Sequence, residues 1–176
     1  MSIKIGLIAD IHADAEKLQH ILAILETQHH VDRILCAGDL TGYGTQPNPV
    51  IDILRERKIP VVKGNHDSPS ADITPLNADY LRALPLEWQG EFENKRLYMC
   101  HGIPGVPFIG ITRKHFTDDR LIQVFMDIEA DVYITAHTHE PLVIDLPDGR
   151  KVINPGAVYL DNYAVLTLPE LRVDLY

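Results

Sequence analysis

Several absences bound what this chain can do. It has two cysteines, Cys36 in RILCAG and Cys100 in RLYMCHG, with no CxxC spacing. That argues against a cysteine-built zinc site or a disulfide scaffold, and predicts two reduced, buried thiols and a cytoplasmic protein. No apolar run reaches the roughly 18 residues of a membrane span. The opening MSIKIGLIADIHAD has neither the basic leader nor the cleavage site of a signal peptide. Basic residues are outnumbered, 16 Lys and Arg against 25 Asp and Glu, for a net charge of −9 with histidine neutral. An acidic surface argues against long nucleic acid and anionic membranes as partners. It leaves room for a small anionic substrate, because bound divalent cations reverse the local potential. There is no internal repeat, low-complexity tract or linker, so residues 1–176 read as one domain. A chain of that length buries roughly 68–70% of its unfolded surface without covalent staples.

What is present alternates. IKIGLIA (3–9) is a short apolar run rich in isoleucine and predicts a buried strand. Residues 15–29 place Leu18, Ile21, Leu22 and Leu25 at helical spacing behind Asp14, a candidate N-cap. DRILCAG predicts a second strand, NPVIDILRERK a second helix and IPVVKG a third strand. That βαβαβ order predicts parallel pairing with right-handed crossovers. SADITPLNADYLRALP predicts a helix, and LEWQGEFENKRLYMCHG a hairpin turning at Glu93, Asn94 and Lys95. Residues 103–116 read as a loop and 117–130 as a helix capped by Thr117 or Asp118. Short strands with turns near Pro147-Asp148-Gly149 and Pro169-Glu170 complete the chain. A β-rich tail after βαβαβ predicts a layered α/β fold of two packed sheets.

The metal-capable residues gather just past apolar strands. Asp10 and His12 follow the first strand, Asp39 the second, Asn65, His66 and Asp67 the third. His101 follows LYMC, and His137 and His139 follow DVYITA. Open α/β sheets place their ligand crevice at such carboxyl ends. Each motif alone reads as a turn, a cap or a strand-end histidine; their joint occurrence points to a metal site. In an extended strand, side chains two apart leave on one side, so spacing alone has His137 and His139 sharing one ion. Two Asp, one Asn and four His exceed one tetrahedral site and suit two ions roughly 3.5–4 Å apart. Mixed carboxylate, imidazole and amide donors favour Mn first, with Fe, Zn, Ni or Co as alternatives to it. GYG (42–44) lacks the spacing and the lysine of a phosphate-binding loop and reads as a turn bordering the site.

The ordered set D-x-H, G-D, G-N-H-D, H-G and H-T-H resembles the calcineurin-like metallophosphoesterase superfamily, over Ile3 to about residue 160. GDLTGYGTQPNPVIDILR before GNHD, and INPGAV near the end, are most similar to its small bacterial and archaeal phosphodiesterase-like members. The resemblance implies a four-layer α/β/β/α sandwich of two mixed sheets flanked by helices. It implies that Asp10, His12 and His139 hold one divalent ion, that Asn65, His101 and His137 hold a second, and that Asp39 bridges them. His66 would be catalytic, facing the substrate and assisting the leaving group, and Asp67 would hold the His66 imidazole. The implied activity is hydrolysis of a small phosphate ester, a phosphodiester or nucleotide-type ester, by a hydroxide bridging the two ions. Phosphomonoesters and dinucleoside polyphosphates are alternative substrates. The superfamily also holds a retromer-type scaffold that lacks the catalytic histidine; here His66 is in place.

The chain departs from the family pattern at five positions. Ala136 replaces the Gly of G-H-x-H. Ala13 and Asp14 replace G-N after D-x-H, which puts a negative charge where a phosphate would approach. Ile103 replaces the second His of H-G-H, and Ala157 the Ser of N-P-G-S. The loop 103–116 is the candidate substrate rim, where Arg113, Lys114 and His115 would meet a second phosphate or a nucleotide or else form a solvated basic turn. Exposed sheet edges permit a homodimer.

Overall fold

The computed structural model describes residues 2–112 and 119–176, without the side chains of 119–122. The rim cations Arg113, Lys114 and His115, and the cap expected at Thr117 or Asp118, lie outside the described residues.

The elements run β1 (Ile3–Ile8), α1 (Ala15–Thr27), β2 (Arg33–Cys36), α2 (Pro47–Glu56), α3 (Pro75–Ala83), β3 (Glu87–Phe92), β4 (Lys95–Cys100), α4 (Asp119–Met126), β5 (Val132–Ile134), β6 (Leu142–Asp145), β7 (Lys151–Asn154), β8 (Ala164–Leu168) and β9 (Arg172–Leu175). They form two sheets, ordered β2-β1-β8-β9 and β3-β4-β5-β7-β6. Both sheets are mixed. In the first, β1 pairs parallel with β2 and antiparallel with β8. In the second, β4, β5 and β7 run parallel between the antiparallel edges β3 and β6.

The layers follow from side-chain alternation along the strands. Ile5 and Leu7 of β1, Leu97 and Met99 of β4, and Val132 and Ile134 of β5 share one apolar cluster, the packing between the sheets. The opposite faces are apolar too. Ile8 packs with Leu18, Ile21, Leu22 and Leu25 of α1 and with Val50, Ile51 and Leu54 of α2. Tyr98, Cys100 and Tyr133 pack with Phe125 of α4. The result is the expected helix–sheet–sheet–helix sandwich, and it brings the carboxyl ends of β1, β2, β4 and β5 to one edge.

The expected third strand is reduced to a single bridge between Val61 and Cys36. Pro60 has no N–H to give to a ladder. Beyond Val62, the Lys63 N–H bonds the Pro85 carbonyl instead of β2. The segment still delivers Asn65 and His66 to the common edge. Asp14 caps α1, its Oδ1 accepting from the Lys17 N–H at 3.0 Å.

Candidate metal centre

Five of the seven candidate ligands have left-handed backbones: Asp10 (φ 51°), His12 (49°), Asp39 (54°), His137 (71°) and His139 (59°). Each such residue costs about 1 kcal/mol or more relative to ordinary backbone, and clustered strain of this kind marks functional sites. It also explains why the spacing argument for His137 and His139 fails. β5 ends at Ile134, so the period-two rule no longer applies, and the two imidazoles diverge.

They diverge into two groups of donors. Asp10, His12 and His139 form one group, and Asp39, His101 and His137 the other, with donor atoms within 4.8 Å of one another in each. In the first, His12 Nε2 lies 3.1 Å from His139 Nε2, and Asp10 Oδ1 lies 3.4 Å from His139 Nε2 and 3.9 Å from His12 Nε2. In the second, Asp39 Oδ2 lies 3.3 Å from His101 Nε2. Asn65 Oδ1 faces both His101 Nε2 at 3.1 Å and His137 Nδ1 at 2.8 Å. Asp39 Oδ2 also lies 3.9 Å from His12 Nε2, so one carboxylate oxygen addresses both groups.

The donor set fits divalent cations. Asp10 is fully buried, yet its Oδ1 has no hydrogen-bond partner. A buried ionised oxygen without a partner is costly, and a cation removes that cost. At most one proton can stand between the facing His12 and His139 nitrogens, while a cation uses both lone pairs. The rear nitrogens are held. His12 Nδ1 bonds the Thr41 carbonyl at 3.1 Å, and His101 Nδ1 bonds the Ala37 carbonyl at 2.7 Å. A carbonyl only accepts, so both rings keep Nδ1–H and turn Nε2 toward the site.

The electrostatics follow from burial and the two carboxylates. Burial opposes charge on His101, but Asp39 and Asp10 outweigh it and lift its pKa to about 9. Asp10 raises His139. Burial lowers His12, and burial and then the charge of His101 lower His137. Asp39 falls despite its burial, because His101, the His66 N–H and His12 favour its anion.

His66 is half-buried beside the first group, its ring centroid 5.3 Å from that of His12 in an edge-on contact. Its N–H donates to Asp39 Oδ1 at 2.8 Å. Asp67, expected to hold the His66 imidazole, has a different role. It is fully buried, and its carboxylate accepts the backbone N–H groups of Asp39, Leu40, Thr41 and Gly64. Asp67 therefore fixes the turn that presents Asp39. Burial and then the neighbouring Asp39 raise its pKa to about 6, against those N–H bonds. Gly64 is required there, since a Cβ would stand 2.0 Å from Asp39 Oδ1.

Three of the departures from the family pattern are accommodated, and Ala13 is strained. Ala136 is not among the left-handed residues and packs between the sheets, so its methyl is accommodated. Asp14 spends its carboxylate on the α1 cap, where the helix N-terminus favours the charge. Ile103 is buried in the cluster around Tyr98 and Phe125. Ala13 is left-handed, at φ 59°.

Three supporting residues have no metal-type signature in the sequence. The Tyr159 hydroxyl lies 2.9 Å from His139 Nδ1. Buried Asn154 donates to the Ala136 carbonyl and to Thr138 Oγ1, both at 3.0 Å, and accepts from Gly156 N–H. Thr135 Oγ1 donates to the Gly102 carbonyl at 2.6 Å. The INPGAV motif flagged the Asn154 turn; nothing flagged Tyr159 or Thr135. Tyr43, on the GYG turn, stacks on His12 with centroids 4.2 Å apart. Beside His66 opens a cleft of about 180 Å³ lined by Ala13, Gly42, Ser68 and Asp72, among others.

Two converging donor groups at the strand ends of a four-layer sandwich form a candidate metal centre. The calcineurin-like phosphoesterase superfamily domain matches residues 3–168, and the chain belongs to that superfamily. It is 28% identical over 178 residues to an uncharacterized protein of Methanocaldococcus jannaschii, covering 89% of this chain and 70% of the relative. A solved metallophosphoesterase from Sphaerobacter thermophilus has the same fold, with a TM-score of 0.71 and 23% identity over 99% of this chain and 87% of that one. So does a Vps29 complexed with zinc from Entamoeba histolytica, with a TM-score of 0.62 and 22% identity over 99% and 97% of the two chains. Among the described residues no helix is long and apolar enough to cross a membrane.

Proposed function

We propose that this protein is a dinuclear-metal-dependent phosphoesterase acting on a phosphodiester or small nucleotide-type ester. The observation that carries the reading is the Asp39 carboxylate, whose Oδ2 lies 3.3 Å from His101 Nε2 and 3.9 Å from His12 Nε2. One ion would be held by Asp10, His12 and His139 and the other by Asn65, His101 and His137, with Asp39 serving both. Mn is the first choice; Fe, Zn, Ni or Co fit the same donors. Divalent ions would supply neutralisation of the phosphoryl charge and a water whose pKa falls from 15.7 toward about 7.

The chain's own residues do the rest. Asp67 and Gly64 hold Asp39 in place, and the Ala37 and Thr41 carbonyls aim two imidazoles. His66 stands half-buried beside the first group, where it would donate a proton to the leaving oxygen. The two buried, unpaired thiols Cys36 and Cys100 suit a reducing compartment, which supports a cytoplasmic location.

The test assays bis-p-nitrophenyl phosphate and p-nitrophenyl phosphate with Mn²⁺ or Ni²⁺, using wild type and His66→Ala. Metal-dependent turnover is expected, lowered about 10²- to 10⁴-fold by the substitution while metal still binds. Bound metal without turnover across a broad panel of phosphate esters would favour a noncatalytic scaffold on this fold. A metal count near one per chain would sink the dinuclear reading.

A further inference from the structure

The site has one conspicuous apolar feature that the proposed chemistry does not use. Tyr43 is 65% exposed, although its ring lies nearly parallel to the His12 ring, with centroids 4.2 Å apart and planes 27° apart. A ring stacked on one face and that exposed presents its other face to solvent. Gly42 makes the stacking possible. Its φ is +133°, and a Cβ there would stand 2.6 Å from His12 Nδ1. Tyr159 supports the arrangement from the side, its centroid 6.1 Å from that of Tyr43 in an edge-on contact. The Tyr43 hydroxyl lies 3.5 Å from His66 Nε2, so the ring stands at the end of the site where the leaving group would depart.

We infer that the outward face of Tyr43 is the subsite for a flat aromatic leaving group, an aryl or nucleoside-type alcohol, stacked on a ring that itself packs on His12 of the first donor group. This rests on the phosphoesterase reading above and deepens it by choosing a substrate class. Stacking needs a flat π-face and falls away when the ligand ring is saturated and puckered. A glycerol- or sugar-type alcohol would gain nothing from Tyr43 and would use the polar cleft beside His66 instead. Tyr43 is thus a specificity residue. It touches the alcohol moiety and leaves phosphoryl recognition to the metal groups.

The test measures equilibrium binding, by calorimetry on Mn²⁺-loaded protein, of phenylphosphonate and cyclohexylphosphonate. The two are nonhydrolysable and similar in size, and titrations run at a pH above both second ionisations give them equal charge, leaving ring flatness as the main difference. Phenylphosphonate should bind about five- to tenfold tighter, at the low end of the range for one stacked ring. Tyr43→Phe should keep that ratio and Tyr43→Leu should bring it near one. Metal content and inorganic phosphate affinity are measured in parallel, because Tyr43 contacts a candidate ligand. Equal affinities in the wild type, a ratio that survives Tyr43→Leu, or no binding of either phosphonate overturns the inference. Its failure is separable from that of the function. Turnover of bis-p-nitrophenyl phosphate with equal phosphonate affinities removes only the stacking subsite. No turnover of any ester, with the ratio intact and lost in Tyr43→Leu, removes the hydrolase reading and leaves Tyr43 as a stacking subsite for an aromatic ligand rather than for a leaving group.

Discussion

The two donor groups have the same composition, one carboxylate and two imidazoles, but different support. Around Asp39, His101 and His137 the backbone does most of the positioning. The Ala37 carbonyl fixes His101, the His66 N–H fixes Asp39 Oδ1, and Asp67 ties down the turn between them. The His101 side chain is 0% exposed. Around Asp10, His12 and His139 the weak point is His139, whose side chain is 21% exposed and oriented by a tyrosine hydroxyl. A carbonyl can only accept, whereas a hydroxyl can donate or accept, so Tyr159 constrains its imidazole less tightly. Each group has two buried members and one half-buried histidine, so the contrast lies in what orients that histidine, the Asn65 amide oxygen at His137 and a tyrosine hydroxyl at His139. Both share an electrostatic logic, because each pairs one imidazole of raised pKa, His101 or His139, with one of lowered pKa, His137 or His12. In each group the neighbouring carboxylate favours the charged form of one imidazole, His101 beside Asp39 and His139 beside Asp10, and a cation would compete with that proton.

The strongest way to break the comparison is to remove what the groups share. Asp39→Ala should lower phosphoesterase activity by at least about 100-fold, since even outer partners of metal ligands reach that range. It should also reduce metal content in both groups; loss of one ion alone, with activity largely kept, would mean that Asp39 serves one group only. Next comes the pair His101→Ala and His139→Ala. Both should lose metal, but only His101→Ala leaves a buried carbonyl without its donor, costing about 1–3 kcal/mol of folding stability. Denaturant melts of the metal-stripped proteins read that difference directly, and equal losses would erase the distinction between the groups. Tyr159→Phe is milder. It keeps the ring beside His12 and removes the hydroxyl, so the affinity of one ion should fall about tenfold while the other is unchanged. A metal titration in which both affinities move together would show that Tyr159 does not act through His139.

Much of this was legible in the residues. Alternation of β-branched runs with helical periodicity gave both sheets, and the capping aspartate of α1 stands where the pattern put it. The metal-type residues at strand ends gave the edge on which the site forms. What stayed hidden has two causes. The first is backbone conformation. Period-two reasoning about His137 and His139 assumed an extended chain, but β5 stops at Ile134 and the loop beyond it is left-handed at both histidines. The weak third strand fails similarly, through the missing N–H of Pro60. The second cause is that a carboxylate's partner cannot be read from adjacency. Asp67 follows His66 in the chain, yet its oxygens turn away to the N–H groups of Asp39, Leu40, Thr41 and Gly64. Tyr159 was invisible because a tyrosine twenty residues from its histidine carries no ligand signature.

The smallest expected effect tests whether the strain around the first group is functional. Ala13 directly follows His12 and holds φ 59° without the side-chain polarity that lets Asp or Asn accept such a backbone. It is 2% exposed, and its N–H bonds the Leu40 carbonyl at 2.8 Å. That bond ties the end of the β1 loop to the turn carrying Asp39. Glycine adopts the same backbone without the Cβ penalty, but it gains more freedom in the unfolded chain. The two terms oppose each other, and relief of the left-handed strain is the larger. Ala13→Gly should therefore stabilise the protein by about 0.5–1 kcal/mol, a rise in Tm of about 1–4 °C for a chain of this size. The Leu40 bond involves only backbone and survives the change, so metal affinity of the first group should hold. A melt showing the predicted rise together with weakened metal binding would mean that the alanine stiffens His12 into position, and that its strain serves the site.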